Sequence, residues 1–367
     1  MPTLKMIKIF VGLLLVSLIV SGCSVTFQTS GSDGSATDGG VFKTANSGMS
    51  WQQKALIAGV SSQILTFNQA NIYALALDPQ DKNALYAGTV DGGLLYSYDG
   101  GTSWNVAKTL GQRAVNEVSV SPQDKCTVYA ASENKIYQTT DCSRTWQELY
   151  FDNDPSLRIY SIALDSKNEK IIYAGTSRGE IIMSQDGGQS WAALKRFEDS
   201  KKTSDNAVVR VAVGNPNTAV IWAATAGSGI YKSSDRGKTW QNFAEVLQAI
   251  DSNNALRLAE ASFSPDGQIA IAATKAGLIR TTDGGAHWQP IELVPPADKT
   301  IINTVIMYPA DSQRIYYATD TSFGWTKDGG QTWTSKKLPS SRSGKALAVD
   351  PANPDIVYLG VFFIKKP

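Results

Sequence analysis

The chain has 367 residues, 18% of them charged and 42% hydrophobic, with a formal net charge of +1. So even a balance gives no net electrostatic drive toward nucleic acid, and any charge-based recognition must come from local patches. A single histidine, His287, leaves Ser-His-Asp or Cys-His chemistry only one candidate base.

Residues 1–22 read as an address rather than as part of a fold. Lys5 and Lys8 precede an apolar run from Ile9 to Val20 that is too short to span a bilayer comfortably. The run ends in Val20-Ser21-Gly22-Cys23, which resembles the bacterial lipobox. That resemblance implies a diacylated Cys23 as the mature N-terminus; an ordinary secretory signal or a short anchor is the other reading. Residues 23–37 are rich in Ser, Gly, Thr and Asp, the composition of a flexible tether. The expected location is therefore a membrane-anchored, extracytoplasmic one, at a periplasmic, cell-surface or lumenal face. Loss of the signal removes two lysines and no acids, which moves the net charge from +1 to −1.

From residue 38 onward one pattern repeats. A weak copy, Thr44-Ala45-Asn46-Ser47-Gly48-Met49-Ser50-Trp51, comes first. Ser97-Tyr98-Asp99-Gly100-Gly101-Thr102-Ser103-Trp104 and Thr139-Thr140-Asp141-Cys142-Ser143-Arg144-Thr145-Trp146 follow. Four more copies place Asp186, Asp235, Asp283 and Asp328 ahead of Trp191, Trp240, Trp288 and Trp333. The tryptophans are 42 to 53 residues apart, the period of a four-stranded propeller blade. Each unit supplies the other strands as well: Ile72 to Leu77 alternates, Ala84 to Gly88 is a short apolar run, and Leu94 to Ser97 leads into the box. The aspartate can accept amide hydrogen bonds within its turn, glycine supplies positive φ, and tryptophan buries surface against a neighbouring blade.

The ends of the chain decide how the ring closes. The C-terminal segment offers two strands, Ala346 to Asp350 and Ile356 to Phe362, with no box after them. Asp38 to Phe42 aligns with Asp91 to Leu95, and Trp51 aligns with Trp104. The sequence thus predicts an all-β, seven-bladed propeller over residues 38–367, with four-stranded antiparallel blades and a last blade shared by two N-terminal and two C-terminal strands. Cys126 and Cys142 flank one predicted hairpin, equidistant from its turn near Asn134, so an oxidising compartment permits a disulfide between them. No histidine or acidic cluster accompanies the pair, and neither a metal nor a cofactor is expected.

The Ser/Thr-x-Asp-x-Gly-x-Thr-Trp repeat resembles the Asp-box, or BNR repeat, of sialidases, sortilin-type receptors and certain xyloglucan hydrolases. A single seven-bladed unit behind a lipobox is most similar to the photosystem II assembly-factor-like propeller lipoproteins. The resemblance covers residues 38–367 and implies a structural role for the boxes. It also implies an arginine-rich surface that binds membrane-protein partners.

The box lies between third and fourth strands, so the loops that enter each first strand lie on the opposite face, where propeller sites more often sit. Arg113, Arg158, Arg257 and Arg342 recur in those entry loops, and Arg178 lies in a turn on the same side. Arginine suits bidentate binding of carboxylates and is enriched at interface hot spots. The other reading is that these arginines are solvated or paired with nearby acids such as Glu180. The expectation is a monomeric, non-catalytic propeller that binds a protein partner, in an assembly or stability role for a membrane complex; photosystem II enters only if the organism is photosynthetic. A cell-surface propeller that binds or hydrolyses glycans is the alternative. Against it, Tyr160 near Arg158 is the one hint of sialidase chemistry, the Phe/Tyr-Arg-Ile-Pro signature is absent, and His287 sits inside a box.

Overall fold

A computed structural model describes residues 37–59, 64–215, 217–293 and 301–364. The signal segment, Cys23 and nearly all of the tether lie outside the described residues. Seven four-stranded antiparallel sheets form seven blades, numbered I to VII here in the order in which their innermost strands occur. Those innermost strands are Ile72–Leu77, Glu117–Val120, Ile159–Leu164, Val208–Val213, Leu258–Phe263, Ile302–Tyr308 and Ser343–Val349. Each packs beside the next, and the last beside the first, so together they enclose an axial channel.

Blade VII closes the ring as the sequence predicts. Its inner half is Ser343–Val349 and Val357–Phe362, and its outer half is Val41–Thr44 and Gln52–Gln53. The seam is a register of four pairs, from Val41 opposite Gly360 to Thr44 opposite Val357. Joining the two ends of the chain in one sheet leaves the ring with no open first or last blade.

The second strands explain why the blades stack. Leu85–Thr89, Val128–Ser132, Ile172–Thr176, Ile221–Thr225 and Ala270–Thr274 are buried at all five positions. Successive side chains point to opposite faces, so each such strand serves the interfaces with both neighbouring blades. Between blades V and VI, for example, Ile271, Ala273 and Leu278 pack on Ile302, Val305 and Tyr317. In blade I the second strand carries glycine where the next blade comes close: a Cβ on Gly88 would come within 2.6 Å of the Val115 carbonyl oxygen.

Two features were not legible beforehand. A short helix, Ala244–Ile250, sits in the connection between blades IV and V and buries Leu247. A two-stranded ribbon, Leu56–Ile57 paired with Leu65–Thr66, leaves the outer strand of blade VII and packs beside Trp104 of blade I.

Candidate functional site

The boxes are closed hydrogen-bonding units. In blade I, Ser97 Oγ donates to Asp99 Oδ1 at 2.8 Å and accepts from the Gly101 amide at 3.0 Å. Asp99 in turn accepts from the Ser103 amide at 2.9 Å and from its hydroxyl at 2.6 Å. The same bonds recur around Asp141, Asp186, Asp235 and Asp328. These bonds, led by the Ser or Thr hydroxyl at the far side of the turn, hold the Asp141, Asp186 and Asp235 carboxyls down at about 2. Asn46 substitutes in the weak copy, with Oδ1 accepting from the Ser50 amide and Nδ2 donating to Ser50 Oγ, both at 2.9 Å. His287 takes the hydroxyl's place in its box, with Nδ1 2.6 Å from Asp283 Oδ2 on an open surface.

The tryptophans that end the boxes fill the seams unequally. Trp104 and Trp288 are buried, whereas Trp51, Trp146, Trp191, Trp240 and Trp333 are only partly so. Trp51 meets Phe323 of blade VI edge-on at 5.1 Å, and Trp191 meets Tyr150 of blade II at 5.4 Å. A further clasp crosses three seams: the residue three before the acid or amide of one box reaches the carbonyl just after the acid in the next. Lys43 binds the Gly100 oxygen at 3.2 Å, Lys232 the Gly284 oxygen at 3.1 Å, and Arg280 the Gly329 oxygen at 2.8 Å. Burial lowers the pKa of all three cations. Cys126 and Cys142, with Cα atoms 4.1 Å apart, are joined through their sulfurs and tie the box of blade II to its first-to-second-strand loop.

On the opposite face the five arginines singled out by sequence do not form one patch. Arg342 departs most from expectation. It is 4% exposed, with Nη1 2.9 Å from both the Gln69 carbonyl and Asn71 Oδ1, and Nε 3.6 Å from Asp38. It therefore secures the N-terminal segment inside the closure and offers no surface to a partner. Arg178 is half-exposed but pairs with Asp152 at 2.8 Å and Glu180 at 3.0 Å. Arg113 lies over the Tyr137 ring, 4.8 Å from its centroid, and donates to the Tyr137 hydroxyl. Arg257 is exposed, and the Arg158 side chain donates to the Pro155 and Leu157 carbonyls while lining the channel. Of the five, only Arg158 faces that channel.

The channel is a cavity of about 730 Å³ to which all seven innermost strands contribute. Six of those strands break register at one level, leaving Tyr73, Tyr160, Val209, Ala259, Asn303 and Lys345 as the extra residue of a bulge. A bulge bends the strand and re-aims side chains, and here Tyr73, Tyr160 and Lys345 all line the channel. The next level is a ring of seven equivalent positions, each opposite the penultimate or bulge-matched residue of its second strand. Four hold small residues, Ala74, Ser161, Thr304 and Ala346; three hold Glu117, Arg210 and Glu260.

Those three long side chains meet. Arg210 grips Glu260 with two bonds, Nε to Oε1 at 2.8 Å and Nη2 to Oε2 at 2.7 Å, and reaches Glu117 Oε1 through Nη1 at 3.0 Å. The bridge joins blades II, IV and V and passes the Ser161 position of blade III. Each side chain keeps between 14% and 29% of its surface open to the channel, though protein surrounds all three. Desolvation outweighs the pull of Arg210 on Glu117 and lifts its carboxyl to about 7. Burial also works against the Arg210 charge, but Glu260 and then Glu117 more than offset it, so its pKa is raised.

Residues 92–200 match the family model described as sortilin, neurotensin receptor 3. A vacuolar protein sorting/targeting protein 10 from Laccaria bicolor is 30% identical over 115 residues, which are 30% of this chain and 7% of that protein. Among solved structures, a GH74 xyloglucanase from Xanthomonas campestris superposes with a TM-score of 0.64 at 17% identity. That match covers 85% of this chain and 52% of the xyloglucanase, so the chain spans about half of that enzyme. YCF48 from Cyanidioschyzon merolae gives 0.59 at 15% identity, with 80% of this chain and 95% of that one covered. YCF48 bound to D1 peptide gives 0.58 at 17% identity, covering 80% and 93%. The seven-bladed propeller fold is shared with these structures. At these identities the propeller likeness establishes architecture, and the site must be argued from its own residues.

Sequence reasoning passed over Glu117, Arg210 and Glu260. The signal was present: each is a charge inside an innermost strand, at one register of the repeat.

Proposed function

We propose that the chain is a non-catalytic propeller, held by a lipidated Cys23 at an extracytoplasmic membrane face, that binds a protein segment over its channel mouth. The observation that carries this reading is the bulged level of the channel wall. There Tyr73, Tyr160 and Lys345 line the same channel as Arg158, and no acid among the described residues pairs with the Arg158 or Lys345 side chain. Aromatic and cationic groups on a rigid rim suit an extended peptide that carries carboxylates. The likeness to a propeller solved with a bound D1 peptide supports the same class of partner. A role in assembling or stabilising a membrane complex follows from that class together with the anchor.

The geometry disfavours the glycan-hydrolysing alternative. A glycosidase places the scissile bond between two carboxyl groups, with room for a sugar or water. Here the Arg210 guanidinium bonds both Glu117 and Glu260, and Glu260 spends both oxygens on it. Among the described residues, Arg158 and Arg210 are the arginines that line the channel, short of the three that grip a sialic carboxylate.

The test is covalent capture in native membranes with the lipidated protein and an Arg158→Glu/Lys345→Glu variant. The reading expects a membrane-protein partner with the native rim and its loss with the variant. It fails if both proteins capture the same set, or if the purified chain cleaves or retains glycans and captures no protein.

A further inference from the structure

The ribbon between blades VII and I has an unusual outer face. Opposed residues of an antiparallel pair share a side, and alternate residues point to opposite sides. Ala55, Ile57 and Phe67 face inward, with the Phe67 ring 5.5 Å from that of Trp104, edge-on. The ribbon is fastened there by two backbone bonds, Trp104 amide to Leu56 carbonyl at 2.8 Å and Ala58 amide to Trp104 carbonyl at 2.7 Å. The other face carries Leu56, Ala58, Ile64 and Thr66, all exposed and none charged. Leu56 is 41% exposed and Ile64 83%; Leu65, opposite Ile57, is on the inward side at the edge of the ribbon. A solvent-facing ribbon normally alternates apolar with polar; this one is apolar on both sides except at Thr66.

Its place in the chain says what covers it. Gln53, just before the ribbon, donates from Nε2 to the Thr37 carbonyl at 2.9 Å and to the Gly39 carbonyl at 2.8 Å. The Gly39 amide donates to Asn68, just after the ribbon, at 2.7 Å. The segment arriving from the N-terminus therefore joins the propeller at the base of this ribbon. Cys23 lies 14 residues before Thr37, and any flexible Ser/Gly-rich linker of 14 residues would span about 20 Å root-mean-square. An anchor at Cys23 would keep the ribbon side nearest the bilayer. Lys54 adjoins the ribbon; after burial its charge is the next cause that lowers the Lys43 pKa, against the opposing pull of Asp350 and Asp99.

Resting on the anchor reading above, we infer that Leu56 and Ile64 dip into the lipid surface to which the N-terminus is tethered, with Lys54 beside them at the headgroups. An apolar edge beside a lysine is the pattern of an interfacial contact. It gives the propeller a fixed edge-on attitude, so that the channel mouth looks along the membrane rather than away from it.

The experiment reconstitutes the lipidated full chain in vesicles of phosphatidylethanolamine and phosphatidylglycerol. A nitroxide is placed at Ile64→Cys, with His287→Cys on the box of blade V as the reference. Both positions are 83% exposed, so neither label disturbs the core. The inference expects the Ile64 label to lose collisional access to a water-soluble nickel reagent and gain access to oxygen, while the His287 label keeps its solution behaviour. Mass spectrometry of the N-terminal peptide separates the two claims. A diacylated Cys23 with both labels equally open to nickel overturns the ribbon contact and leaves the anchor standing. An unmodified Cys23 sinks the anchor, and failure of that protein to float with the vesicles overturns the ribbon contact too.

Discussion

The box face and the channel differ in how they use the repeat. Around the box face the same bonds recur, and a copy that loses its aspartate keeps the geometry through Asn46. At the channel the same register carries Ala74, Glu117, Ser161, Arg210, Glu260, Thr304 and Ala346, so the residue type changes from blade to blade except across the closure, where Ala346 meets Ala74. Repetition marks what every blade needs for closing its hairpin and gluing to the next. Departure from repetition marks what the assembled ring does once.

Variants can break this contrast, beginning on the scaffold side. Trp104 is fully buried between blade I and the ribbon, so Trp104→Ala should destabilise by about 3–5 kcal/mol in denaturant unfolding. Reducing Cys126–Cys142, which spans 16 residues, should cost about 2–3 kcal/mol on loop entropy and lower the melting temperature in dithiothreitol. Ser233 is fully buried, and its hydroxyl serves both the Asp235 carboxylate and the Gly237 amide. Ser233→Ala should therefore cost about 1–3 kcal/mol by the same measurement.

The channel side should respond to pH instead. Glu117 is raised in the folded state, from 4.5 to about 7. The folded protein thus holds an extra proton between those values, and stability falls as pH rises from about 5 to about 7. Glu117→Gln should remove that slope, a change of about 1–3 kcal/mol between pH 5 and pH 8 in urea titrations. The box aspartates run the other way. Asp141, Asp186 and Asp235 are depressed to about 2, so their contribution is complete above about pH 4 and is lost as pH falls toward 2. A Glu117→Gln protein that keeps the wild-type slope between pH 5 and 8 would show that the bridge does not titrate as described.

Most of the architecture could be read from the sequence because the boxes recur and tryptophan survives in all seven copies. Even closure was readable, since Asn46 and Trp51 hold the box register at the N-terminal end. The channel was harder because its bridge joins residues 93 and 50 positions apart, each in a strand that looks ordinary alone. Arg342 shows the complementary limit. In sequence it is indistinguishable from Arg158 and Arg257, and only the return of Asp38 to Ser340 and Ser341 buries it. The ribbon escaped notice because Leu56–Ile57 and Leu65–Thr66 are two-residue strands outside the repeat.

The central claim is that the box face supports the fold and the bulged rim of the channel recognises a protein. Partner capture by Arg158→Glu/Lys345→Glu and by Ser233→Ala, each with its melting temperature, tests it in one comparison. The rim variant should melt like the wild type and lose its partner. The box variant should melt lower and, below its transition, keep it. Partner capture that survives the rim changes but fails in the folded box variant would contradict the account.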